Sequence, residues 1–64
     1  MRKYEIMQEF LDVNFSGCFI VDGKVVNEDY VRELVDKAIG TAFDWIEDEL
    51  IVCLDNESVA VSYM

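Results

Sequence analysis

The chain of 64 residues has no histidine, no proline and only three glycines, and it sets five lysine or arginine residues against 14 aspartates and glutamates. The missing histidine removes the commonest general base and the commonest metal ligand. Ser16, Ser58 and Ser62 have no base near them in any recognisable pattern, and the few glycines form no glycine-rich loop. A domain this short also offers little room for a substrate pocket. Paired carboxylates such as Asp44 and Glu47 are the remaining acid–base option, and they lack that pocket. The expectation is a non-enzymatic protein with no catalytic residues, no cofactor and no metal.

Long apolar runs are missing as well. The longest is Leu50-Ile51-Val52-Cys53-Leu54, far short of the ~20 residues that span a bilayer. Glu5 and Glu9 interrupt the first residues, so no signal-peptide apolar region forms. The chain reads as cytoplasmic, without a membrane partner. Its two cysteines, Cys18 and Cys53, lack CxxC spacing and sit among apolar neighbours; both are expected as buried thiols.

The scarcity of cations leaves a net charge of −9. Such a surface repels phosphates, which excludes direct nucleic-acid binding. Yet 53% of the residues are hydrophobic, which excludes a disordered acidic tail. What remains is one small folded domain over residues 1–64, burying roughly 60% of its unfolded surface.

Ile6, Met7, Phe10 and Leu11 fall at helical spacing, favouring a short helix over 4–11, with an extended segment as the alternative. Cys18-Phe19-Ile20-Val21 and Lys24-Val25-Val26 flank Asp22-Gly23, and Asp-Gly supplies the positive φ angles of a two-residue type I′ hairpin turn. Asn27 suits a helix N-cap, and Glu28 and Asp29 suit the positive helix end. Val31, Leu34, Val35, Ala38, Ile39, Ala42, Phe43, Trp45 and Ile46 then share one half of a helical wheel, which predicts one amphipathic helix over about 28–47. A helix ending at Gly40 is the alternative. Leu50–Leu54 and Val59–Tyr63 read as strands around the turn residues Asp55-Asn56-Glu57-Ser58. Both faces of that second hairpin carry apolar side chains, one for the helix and one for a partner. The predicted fold is α+β in the order α-β-β-α-β-β, with two hairpins forming a small antiparallel sheet packed on one long helix.

Charge is unevenly placed along the chain. All five cations precede residue 38, so residues 1–37 carry −3 and residues 38–64 carry −6. On the predicted long helix, Asp29, Glu33, Asp36, Asp44 and Glu47 form an outward stripe. Its first half is supported by the i,i+4 pairs Glu28–Arg32 and Glu33–Lys37, each contributing about 0.2–0.5 kcal/mol. Its second half has only like-charged neighbours, Asp44, Glu47 and Asp48, near the negative end of the helix dipole. Local choices that oppose a fold tend to mark function. Tyr30 falls on the polar side and is expected as an exposed contact. Trp45, between Asp44 and Ile46-Glu47-Asp48-Glu49, falls on the apolar stripe and is expected in the core.

Asp12-Val13-Asn14-Phe15-Ser16-Gly17 matches the start of an EF-hand loop. The twelfth position, which must supply a bidentate glutamate, is Gly23, so a turn is expected there and no calcium. A folded chain of this size is about 28 Å across, and duplex DNA of that length carries about 16 phosphates. The charge of −9 therefore compares with that of one duplex face. In size and charge alone the chain is comparable to the acidic nucleic-acid mimics of phages, such as anti-restriction and anti-CRISPR proteins. The expected function is an inhibitor or adaptor that docks Asp29, Tyr30, Glu33, Asp36, Asp44, Trp45, Glu47, Asp48 and Glu49 onto a basic, nucleic-acid-binding protein. The alternative is a structural or assembly module whose C-terminal hairpin edge pairs with itself, as a homodimer, or with another chain.

Overall fold

The computed structural model describes residues 2–14 and 17–63. The chain runs α1 (Arg2–Val13), β1 (Cys18–Val21), β2 (Lys24–Asn27), α2 (Glu28–Asp36), β3 (Gly40–Asp44), β4 (Glu49–Cys53) and β5 (Ser58–Tyr63). The five strands form one antiparallel sheet in the order β2-β1-β5-β4-β3. The α+β class expected from the sequence is present, with a second helix and a fifth strand where one long helix was predicted. Phe15 and Ser16 of the expected turn after α1 lie outside the described residues.

Local chemistry accounts for the first half. Asp22 and Gly23 have φ of +52° and +77°, the positive pair that a two-residue hairpin needs, and Val21 faces Lys24 across it. The Asn27 side chain accepts from the Tyr30 N–H at 3.1 Å and caps α2. The first segment is helical, and Met7, Phe10 and Leu11 on one face of α1 are buried.

The predicted helix over 28–47 is corrected. α2 stops at Asp36 with Lys37 as its C-cap, and residues 40–44 are strand β3. Gly40 does not serve as a helix-ending glycine, because its φ is not positive. Residues 39–45 satisfy two periods at once. Their large side chains fit a helical wheel, but Ile39, Thr41, Phe43 and Trp45 also alternate with Gly40, Ala42 and Asp44. Pairing decides between them. As a strand, the segment runs from Gly40↔Cys53 to Asp44↔Glu49 alongside β4 and covers what would otherwise be an open sheet edge.

Both helices lie on the same face of the sheet. Met7, Phe10 and Leu11 of α1 and Val31 and Val35 of α2 bury with Phe19, Val21, Leu50, Val52 and Val61 in one core. Phe10 is fully buried and its ring lies 5.6 Å from Phe19, 5.7 Å from Phe43 and 6.3 Å from Tyr63, so one side chain touches β1, β3 and β5. The first turn of α1 closes the far end of α2. Lys3 Nζ donates to the Ala38 carbonyl at 2.9 Å and the Asp36 carbonyl at 3.4 Å, and Thr41 Oγ1 donates to the Lys3 carbonyl at 2.9 Å. α2 has no basic residue in its own last turn, so a lysine from another helix satisfies those carbonyls.

Strand β5 sits in the middle of the sheet, flanked by β1 and β4. The C-terminal hairpin therefore has no free outer strand, and the expectation of pairing through its edge is corrected. The free edges belong to β2 and β3.

A fold of this size is stabilised by about 3–10 kcal/mol. Phe10→Ala should remove about 3–5 kcal/mol of that, read as a large fall in the urea midpoint followed by circular dichroism at 25 °C. Ile46→Ala, at a position 94% exposed, should shift the urea midpoint by no more than about 0.5 kcal/mol in free-energy terms.

Candidate docking surface

The acids that looked unfavourable on a helix have different work in the observed structure. Trp45-Ile46-Glu47-Asp48 forms the turn between β3 and β4. Asp44 Oδ1 accepts from the N–H groups of Ile46 at 3.0 Å and Glu47 at 3.3 Å, the local side-chain-to-backbone bonding that aspartate offers in turns. Asp48 takes a left-handed φ of +55°, which aspartate tolerates better than most residues. Neither acid lies near a helix end.

The expected single acidic stripe is thereby split in two. Asp29, Tyr30, Glu33 and Asp36 are exposed on α2, while Asp44, Trp45, Glu47, Asp48 and Glu49 gather at the β3–β4 turn. Tyr30 is exposed as expected. Trp45 is not in the core: it is 67% exposed and stacks on Phe43, ring centroids 4.3 Å apart. Its flanking Ile46 is more exposed still. Asp44, opposite Glu49 in the strand register, and Glu47 bring carboxylate oxygens within 4.8 Å of one another. Like charges this close repel, and nothing beyond their proximity marks them as a metal site. The thiols also differ from expectation, with Cys18 exposed and Cys53 half-buried, because alternation puts both strands' cysteines on the face away from the helices.

That face is the second feature of the surface, and sequence reading met only its C-terminal part. Residues opposite one another in antiparallel strands share a face. Val25, Ile20 and Ser62 therefore lie in one row, and Ala42, Ile51 and Ala60 in another. Val25, Ala42 and Ala60 are exposed, and Ile20 and Ile51 are half-buried. Asp44 and Glu49 border the apolar area. No cation stands on it: Arg2 and Lys3 are on α1, Arg32 and Lys37 are at α2, and Lys24 alternates to the helix side of β2. The signal for this face was the period-two pattern of Ile20, Val25, Ala42, Ile51 and Ala60. It was hidden at Ala42 by the helical reading.

No helix among the described residues is long and apolar enough to cross a membrane. Compared with protein-family models, curated proteins and solved structures, the chain matches none.

One titrating contact lies apart from the turn. The Tyr4 hydroxyl donates to Asp36 Oδ1 at 2.6 Å. That hydrogen bond, then burial, then the carboxylate charge hold the Tyr4 phenol above its usual range. The folded-state value is the raised one, so the contact is intact below the ordinary tyrosine value of 10.0 and its contribution is lost as pH climbs through the folded-state value. Asp36→Asn should return the Tyr4 ionisation toward an ordinary phenol. Ultraviolet titration checks this, with Tyr4→Phe identifying the Tyr4 component.

Proposed function

We propose that this chain is a small non-enzymatic binding protein that docks its open sheet face, with the carboxylates of the β3–β4 turn, onto a basic protein surface. The observation that carries the reading is the separation of charge across the fold. The apolar sheet face and its border hold acids and no cation, while all five cations sit on the helix side. A partner with lysine or arginine around an apolar centre complements such a face in both charge and hydropathy.

The acids do not form one stripe along a helix, because Asp44 and Glu47 are not on α2. The comparison with nucleic-acid mimics therefore rests on total charge and size, with a longest dimension of 27 Å. A basic groove that normally holds nucleic acid is the partner surface this comparison favours. Long-range attraction would speed encounter, and screening at 0.15 M salt, where the Debye length is about 8 Å, would reduce it.

The test is capture of a partner from lysate of the source cells across a salt series, then titration of the purified partner with variants. Binding should weaken with salt and yield to competing duplex DNA. Ala60→Arg and Glu49→Lys should each weaken it about tenfold or more, equivalent to about 1.4 kcal/mol. Glu33→Lys on α2 should leave it within about threefold, as expected for a charge outside the interface. Full affinity for the Ala60→Arg variant, with its fold intact by circular dichroism, would remove the sheet face from the interface.

A further inference from the structure

Strand β3 is an edge without the usual protection. Proteins blunt free edges with lysine, proline, bulges or very short strands. β3 is Gly40-Thr41-Ala42-Phe43-Asp44, five residues with no proline and no lysine, and its register with β4 runs unbroken. The opposite edge, β2, has four residues and begins with Lys24.

The two ends of this edge differ in a complementary way. At the start of β3 an open cleft lies between the first turns of α1 and the strand, lined by Arg2, Lys3, Ile6, Ile39, Gly40 and Thr41. Ile39 there is 72% exposed. At the other end stand the exposed Trp45 and the carboxylates of Asp44, Glu47 and Glu49. One end is an apolar cleft on the helix side of the strand, and the other carries an aromatic ring on that same side, stacked on Phe43.

We propose that β3 pairs antiparallel with β3 of a second copy, about a two-fold axis perpendicular to the sheet, to form a ten-stranded dimer. Such an axis keeps the open faces on one side, so only registers pairing residues of the same face are allowed. The register centred on the strand sets Ala42 opposite Ala42 of the second copy, Thr41 opposite Phe43, and Asp44 opposite Gly40. Continued by one residue, it sets Trp45 opposite Ile39. Each exposed tryptophan, on the helix side like Phe43 on which it stacks, then meets the cleft of the other copy, where Arg2 can lie over the ring. The same contact occurs twice because the edge is complementary to itself. This commits the edge to a second copy of the chain, because the same edge carries both the exposed ring and the cleft that receives it, while repulsion between the net charges of −9 is screened by salt.

The pairing needs no other partner and is tested on the purified chain. Sedimentation equilibrium of the wild type should give twice the single-chain mass, with dissociation in about the micromolar range for an interface of modest area. The Trp45 fluorescence should shift to the blue as concentration rises through that range. Ile39→Asp and Trp45→Ala, both at exposed positions, should each weaken the dimer about tenfold or more while leaving the circular dichroism spectrum unchanged. Arg2→Ala should weaken it about threefold, the loss of a cation over the ring. A single-chain mass up to about 1 mM, a concentration at which even weak dimers populate, overturns the proposal. So does a dimer whose dissociation constant ignores Ile39→Asp and Trp45→Ala.

Discussion

The burial of Phe10 is the contact on which the rest of this structure depends. Its ring meets Phe19, Phe43 and Tyr63, which belong to strands formed from distant parts of the chain. A sheet of five short strands needs one covered face to hold its register. Phe10 provides the centre of that cover, and Met7, Leu11, Val31 and Val35 extend it. With both helices on this side, the opposite face has no layer of its own. The exposed apolar rows follow from placing all the covering apolar area on one side of the sheet.

The placement of charge follows the same division. Lys3 is held on the helix side by the carbonyls at the end of α2, and Arg32 is held there by its 2.9 Å ion pair with Glu28. Acids border the other side. A domain carrying −9 thus presents two unlike surfaces, one mixed in sign and one acidic around an apolar centre. The proposed partner contact uses the acidic face, and the proposed self-pairing uses the edge between the two. Pairing through β3 would leave the open faces of both copies on one side, joined into a single larger surface of the same character.

Several elements were legible from local sequence because their causes are local. Asp22-Gly23 needs only its own φ angles to turn the chain, and Asn27 reaches a backbone N–H three residues away. The buried face of α1 follows from spacing within three helical turns. The exposed acids Asp29, Glu33 and Asp36 and the ring of Tyr30 were also correctly placed on α2. The second half of the expected site was read on the wrong element. Asp44, Glu47 and Asp48 looked like mutually repelling helix residues, whereas they belong to a tight turn that two of them help to shape. Their conflict with a helix dipole came from the wrong backbone, although Asp44, Glu47 and Glu49 still repel one another at the turn. The exposure of Trp45 changed for the same reason.

By itself, the sequence determined the α+β class, the first hairpin, the capped start of α2, the acidic balance and the exclusion of a bilayer-spanning run. All of these rest on composition or on interactions within a few residues. Only the tertiary structure decided that residues 40–44 are a strand, that β5 lies inside the sheet and that Trp45 faces solvent. A segment whose pattern fits both periods is assigned by what it pairs with. Here β4 offers a ladder to one side of residues 40–44 and Phe10 offers a ring to Phe43. Those contacts come from parts of the chain that no local window contains.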